Sequence, residues 1–265
     1  LHDTDVPVPK TVGYCDDETV IGTRFFVMEH VIGNIYWELL LPGCDPNQRR
    51  EIYLSMNDTI AKLHNVDFDK VNLADYGKHE NYMDRQIHRW TKQYKDSETQ
   101  MIPEINELIE WLPKNIPSDQ ETSIVHGDFR LDNMIFDPIT HEVKAILDWE
   151  LSTLGNPIAD FTYHMMSWRL PAGAKGLGMM GSDLKSLNIP SESEYAELYY
   201  KKTGREKIDN WDFYMAYNIF RLAGIAQGIV GRVRDGTASS SEAKNYEAFV
   251  PILGKLGWSI VEGIK

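Results

Sequence analysis

Apolar and polar positions change period several times along the chain, and each change marks an element. Residues 11–15, "TVGYC", and 24–31, "RFFVMEHV", are rich in β-branched and aromatic side chains. They predict two strands joined through Asp16, Asp17 and Glu18. From Asp45 the period becomes helical. Asp45 offers an N-cap, Pro46 suits the first helical position, and Ile52, Met56, Ile60 and Leu63 recur on one face up to His64. Met83, Ile87, Trp90 and Tyr94 form a second helical stripe between Asn81 and Lys95. A third stripe follows Pro103, with Ile105, Leu108, Ile109 and Leu112.

The stretch "NMIFDPITHEVKAILDWE", beginning at Asn133, reads as two short strands joined by a turn that Asp137-Pro138 opens. "GNPIADFTYHMMSW" supplies an Asn N-cap with Pro at the next position, and the chain from about Ser191 reads mostly as helix. The Gly-rich segment 172–183 has neither a leading strand nor a closing Gly-Lys-Ser/Thr, so it is expected to be a mobile loop and not a phosphate loop.

Between two buried-type runs, Ile124-Val125 and Met134-Ile135-Phe136, lies a loop carrying His126, Asp128, Arg130, Asp132 and Asn133. Asn133 opens the first hairpin strand and Asp148 ends the second. An antiparallel hairpin is expected to set these two side by side, away from the turn. Asp128 reaches the same spot, with Leu147 covering the approach and Trp149 as a roof. Two unit negative charges about 4 Å apart repel by roughly 4 kcal/mol at an effective dielectric of 20, so a cation is expected there. Few ligands, all oxygen, suit Mg²⁺ sharing its shell with phosphates, which is what phosphoryl transfer from ATP requires. Asp128 is then the carboxylate that orients the attacking hydroxyl.

His126 is read as a structural group packed under the loop. Arg130 is open between a substrate phosphate or acyl-CoA and a pair with Asp132 or Glu150. Asp132 is read as a solvated loop charge and Glu150 as a salt-bridge partner. Trp90 and Tyr94 read as core. Gly224, Gly228 and Gly231 read as a site of close helix packing. Arg221, Arg232 and Arg234 read as a solvated helix end, with the phosphates of coenzyme A as the competing assignment.

Composition narrows the class. The chain has 265 residues, 42% apolar and 25% charged, enough for a sizeable core. A formal net charge of -13 makes nucleic acid and anionic membrane poor partners. Cys15 and Cys44 are the only cysteines and are expected to be unpaired. No apolar run approaches the roughly 18 residues of a membrane span.

"HGDFRLDN" followed by "ILDWE" resembles the catalytic and metal-binding segments of the aminoglycoside phosphotransferase/choline kinase-like family. "RQIHRWTKQY", "LDWELSTLGNP" and "AGIAQG" are closer still to the kinase-like domain fused to, or encoded beside, acyl-CoA dehydrogenases. The resemblance implies an α+β, protein-kinase-like two-lobed fold with a mostly helical C-lobe and a catalytic β-hairpin. A remnant of the N-lobe and the hinge would occupy 1–32, and the C-lobe 33–265. It implies Asp128 as catalytic residue, Asn133 and Asp148 as Mg²⁺ ligands, an adenine-binding hinge at Met28, Glu29 and Val31, and Asp160 as a brace of the catalytic loop, with His126 and Arg130 in supporting roles. The cofactors would be ATP and Mg²⁺, and the acceptor a small-molecule hydroxyl, foremost a hydroxyacyl-CoA or hydroxy acid. The likeness also implies an acyl-CoA dehydrogenase as neighbour and a cytoplasmic or organellar setting. The alternatives are an inactive kinase-like scaffold for that dehydrogenase, or a kinase for an aminoglycoside, choline or a sugar. One departure stands out. Neither "GYCDDETVIG" nor Lys10 matches the family's Gly-rich loop and strand lysine, so the N-lobe is read as largely absent and the chain as a poor ATP binder.

Overall fold

The computed structural model describes residues 1–118, 121–173, 176–237 and 245–264. Its first strands, β1 (Thr11–Cys15) and β2 (Phe25–Met28), pair antiparallel, and Glu29 N–H extends the ladder by donating to Lys10 O at 2.9 Å. Both faces of this pair are open, with Val12, Tyr14 and Phe26 exposed.

Helix α1 (Pro46–His64) starts where the sequence places it. Asp45 accepts from the N–H groups of Asn47 and Gln48, and Gln48 returns a bond to Asp45 N–H, closing a capping box. Its apolar stripe is buried at Ile52, Met56, Ile60 and Leu63. Helix α2 (Tyr82–Ser97) buries Met83, Ile87, Trp90 and Tyr94, each contributing about 1.5–3 kcal/mol by transfer from water. Helix α3 (Pro103–Trp111) follows.

Two small antiparallel sheets come next. β3 (Ser123–Val125) pairs with β6 (Thr153–Gly155), and between them the hairpin β4 (Met134–Phe136) pairs with β5 (Val143–Ile146). The hairpin turn forms as expected: Asp137 Oδ1 accepts from Ile139 and Thr140 N–H. The remainder is helical, with α4 (Pro157–Met165), α5 (Glu192–Thr203), α6 (Trp211–Arg234) and α7 (Phe249–Ile264). Asn156 caps α4 through Ala159 N–H, and Ser191 caps α5 through Glu194 N–H.

α6 is the central post, with α2, α4 and α7 packed around it. The glycines of α6 allow the close approach of α2. A Cβ at Gly231 would lie 2.8 Å from Ser97 Cβ, and one at Gly224 3.4 Å from Trp90 O. The Gly-rich segment is anchored over its described part: Met179 is buried, and its N–H donates to Ser167 O at 2.8 Å. Residues 174 and 175 of that expected loop lie outside the described residues. Cys15 and Cys44 are unpaired. Among the described residues no helix is long and apolar enough to cross a membrane.

Candidate active site

The loop 126–133 leaves β3, crosses to the hairpin and ends in a single 3₁₀ turn, Leu131–Asn133. Having no ladder of its own, it must have its backbone groups satisfied elsewhere. Asp160, in the first turn of α4, satisfies two of them: its carboxylate accepts from His126 N–H at 2.8 Å and Gly127 N–H at 2.9 Å. Gly127 has φ +83°, and a Cβ there would meet Leu151 O at 2.6 Å, so the sharp turn before Asp128 needs glycine.

Asp160 is almost fully buried. Burial pushes its carboxyl up, but the bond from His64 and the histidine and backbone donors around it outweigh that and hold it below the ordinary carboxylate value. Burial holds His64 down, against the pull of the Asp160 carboxylate. Its Nε2 lies 3.2 Å from Asp160 Oδ2, and its Nδ1 2.7 Å from Tyr199 Oη. The neutral imidazole therefore donates to Asp160 and accepts from the tyrosine.

His126 is buried and its ring nitrogens are both engaged. Nδ1 accepts from Asp128 N–H at 3.2 Å, and Nε2–H donates to Leu147 O at 2.9 Å. These two bonds tie the loop to the end of β5, in keeping with a structural group.

Asp128 and Asn133 are brought into contact. Asn133 Nδ2 donates to the backbone carbonyl of Asp128 at 2.9 Å and to its Oδ2 at 3.1 Å. Oδ1 of Asp128 accepts from Tyr163 Oη at 2.7 Å. Asp148 departs from the expected register by one residue. Leu147, not Asp148, faces Asn133, its N–H donating to Asn133 O at 2.8 Å. The register shift between Ile135 and Phe136 carries Asn133 from the level of Ile146, where the turn-end pair Phe136–Val143 would put it, only as far as Leu147. Asp148 then adopts the left-handed conformation (φ 64°, ψ 59°), and its side chain lines a cleft of about 800 Å³. Among the described residues its carboxylate and Asn133 Oδ1 make no hydrogen bond, so two oxygen donors remain available.

That cleft is bounded by Pro9, Lys10, Met28, Ile146, Leu147, Asp148 and Trp149 among others. Lys10, read from the sequence as lying outside any strand pattern, joins the β1–β2 ladder through its carbonyl and reaches the cleft. Of the expected hinge residues, Met28 lines this cleft. Glu29 and Val31 line an adjoining pocket of about 510 Å³ that shares Pro9, Met28 and Leu147 with it. Among the described residues no group of three or more His, Cys, Asp or Glu could hold a metal. The Asp148 carboxylate and Asn133 Oδ1 are oxygen donors of the kind a cation with phosphate and water ligands of its own takes; of the two, Asp148 lines the cleft.

Arg130 pairs with Asp132 through two bonds, at 3.0 and 2.6 Å, so Asp132 is a paired charge and not a free one. Arg221 corrects its expected place at a solvated helix end. It is 5% exposed, lies mid-helix in α6 and donates to the Gly127 carbonyl. Tyr163, Arg221 and His64 are the site groups that sequence reasoning missed. Two signals pointed to them: Tyr163 stands three residues after Asp160 on one helix face, and Arg221 interrupts the apolar run "NIFRLAGIA".

The chain's likeness to known proteins agrees with this geometry. The model of the phosphotransferase enzyme family matches residues 1–197. Acyl-CoA dehydrogenase family member 10 of Mus musculus is 44% identical over 259 residues, which is 97% of this chain and 24% of that protein. The chain thus spans about a quarter of that relative's length. A crystal structure of a candidate aminoglycoside phosphotransferase from Ralstonia eutropha JMP134 superposes with a TM-score of 0.95 at 49% identity, covering 99% of this chain and 80% of that one. A GDP complex of aminoglycoside 2'-phosphotransferase-IIIa shares the kinase-like fold alone, with a TM-score of 0.60 at 10% identity over 97% of this chain and 77% of that one.

Proposed function

The chain belongs to the phosphotransferase enzyme family, and from that premise we propose that it carries the C-lobe (33–265) and hinge remnant (1–32) of an ATP- and Mg²⁺-dependent kinase for a small-molecule hydroxyl. The observation that carries this is Asp128. Its carboxylate is oriented by Tyr163 and Asn133 on a loop braced by Asp160 and tied through His126 to Leu147, which lines the cleft beside Asp148.

In this reading Asp128 accepts a hydrogen bond from the acceptor hydroxyl, aligns it for attack and takes its proton late, since a loose transition state asks for little base strength. Asn133 Oδ1 and Asp148 would hold Mg²⁺, which would supply charge neutralisation on the phosphates. Met28 packs against adenine. The Glu29 carbonyl and Val31 N–H, which make no backbone hydrogen bond among the described residues, recognise its edge.

The relative named as an acyl-CoA dehydrogenase favours a hydroxyacyl-CoA or hydroxy acid as acceptor, and a dehydrogenase as neighbour. A second reading, a silent scaffold for that dehydrogenase, draws on one observation: Lys10 is the single Lys or Arg among the described residues lining the cleft.

The full-length protein incubated with γ-labelled ATP and a panel of hydroxyacyl-CoAs, hydroxy acids, choline, sugars and aminoglycosides decides between them. Label is expected on a hydroxyacyl compound, with Asp128→Asn lowering the rate by about 10²–10⁴-fold. No labelled product with any acceptor, or an unchanged rate in Asp128→Asn, refutes the kinase reading.

A further inference from the structure

Two buried side chains outside the metal and nucleotide assignments, Tyr163 and Arg221, meet at the Asp128 loop. Tyr163 stands one turn beyond Asp160 on α4, so the helix that ties the loop backbone also presents a phenol to the loop's carboxylate. Tyr163 Oη–H donates to Oδ1 at 2.7 Å, while Asn133 Nδ2 holds Oδ2 at 3.1 Å. Each carboxylate oxygen has its own donor, which fixes the plane of the group as well as its place.

Arg221 backs this arrangement. Its guanidinium carbon lies 4.2 Å from the Tyr163 ring centroid and 5.2 Å from that of Trp90. It donates to the carbonyl of Gly127, the residue before Asp128. Among the described residues it contacts no carboxylate. A buried cation without a contacting anion carries a desolvation cost that a methionine or leucine would avoid, so space-filling alone does not account for it. Stacked on the phenol, its charge polarises the O–H and strengthens the bond to the carboxylate.

We propose that Tyr163 is a positioning residue for phosphoryl transfer, aiming the Asp128 carboxylate at the acceptor hydroxyl, with Arg221 fixing both the phenol and the loop. This rests on the kinase reading. Burial pushes the Tyr163 phenol above its ordinary value, against the pull of Arg221, so it remains a donor across the working pH range. Because Tyr163 acts through Asp128 and touches neither nucleotide nor metal, its loss is expected in kcat and not in the KM for ATP.

The test uses the full-length protein. Tyr163→Phe keeps the ring and its stacking, and is expected to lower kcat roughly tenfold, the worth of one hydrogen bond to a charged group, with the KM for ATP unchanged. Combined with Asp128→Asn, it is expected to change the residual rate by less than about twofold, since the carboxylate whose aim it sets is gone. Arg221→Lys keeps the charge but gives up the stacked fork. It is expected to lower kcat by a similar factor, non-additively with Tyr163→Phe. Wild-type transfer with an unimpaired Tyr163→Phe overturns this inference alone, as does a full tenfold effect in the Asp128→Asn background. Absence of transfer in the wild type overturns the kinase reading and this inference together.

Discussion

His164 gives the site region a pH limit that can be worked out in advance. It lies in the last turn of α4, with Nε2 2.9 Å from Tyr195 Oη and its ring edge-on to Phe129 of the Asp128 loop at 5.5 Å. Burial pushes its pKa down from 6.5 to about 4, outweighing the Asp160 charge and a Phe129 backbone bond. The folded chain therefore keeps His164 neutral, while the unfolded chain protonates it near 6.5. Stability from this group is complete above that pH and is lost as pH falls toward 4. At pH 4.5 the loss comes to about 2.5 kcal/mol. His164→Gln removes the titration at a cost of about 1 kcal/mol for the altered Tyr195 bond. Urea unfolding followed by tryptophan fluorescence should show the variant as less stable at pH 7.5 and more stable at pH 4.5, the two curves crossing at roughly pH 6. His64 and Asp160, whose pKa values are also held down, lose stability in the same direction in both proteins and cancel in the comparison. Parallel curves for wild type and variant from pH 7.5 to 4.5 would refute the assignment of a neutral, buried His164.

Two further substitutions probe the loop itself. Asp160→Asn keeps the volume but turns an amide N–H toward the His126 or Gly127 N–H and removes a buried charge. It is expected to lower unfolding free energy by about 3 kcal/mol, read as a fall in the urea midpoint, and a change under about 0.5 kcal/mol would contradict the brace. Gly127→Ala places a Cβ at a positive φ and against Leu151 O. A loss of more than about 1 kcal/mol in the same assay is expected, and a neutral result would mean that the loop backbone relaxes freely.

Much of this was legible in the sequence because it is written locally. Asp45-Pro46 and the Ile52–Leu63 stripe mark α1 within a residue of its observed start, since capping and helical period are short-range effects. The hairpin was visible from its turn and its two apolar runs. Its register was not, because strand ends read from apolar runs do not fix which residues pair; even with the shift between Ile135 and Phe136, Asn133 comes opposite Leu147 and not Asp148. Arg221 was misplaced for a related reason. A lone arginine in an apolar helix looks like a side chain at a solvated end until the fold sets it beside Gly127, ninety-four residues away in sequence. Asp132 was one of two partners the sequence offered Arg130, because Asp132 two residues on could pair with it or face water, and only the folded loop shows the two in contact.

The two buried charges at the loop explain each other better than either does alone. Asp160 holds the N–H groups of His126 and Gly127 from one side, and Arg221 holds the Gly127 carbonyl from the other. The two feel each other's field across that glycine: Asp160 helps to keep Arg221 above its ordinary value, against burial. An anion and a cation separated by one residue of backbone satisfy a loop that has no sheet or helix partners, and each offsets part of the other's desolvation cost. Neither clamp lines the cleft beside Asp148, so the loop is held by groups outside it. Preorganisation of that kind is what a reaction resting on positioning demands. Because Asp160 and Arg221 share a field without touching, charge-neutral, size-matched replacement of both is expected to cost less than the sum of the two single changes, read as shifts of the urea midpoint, and strict additivity would refute the coupling.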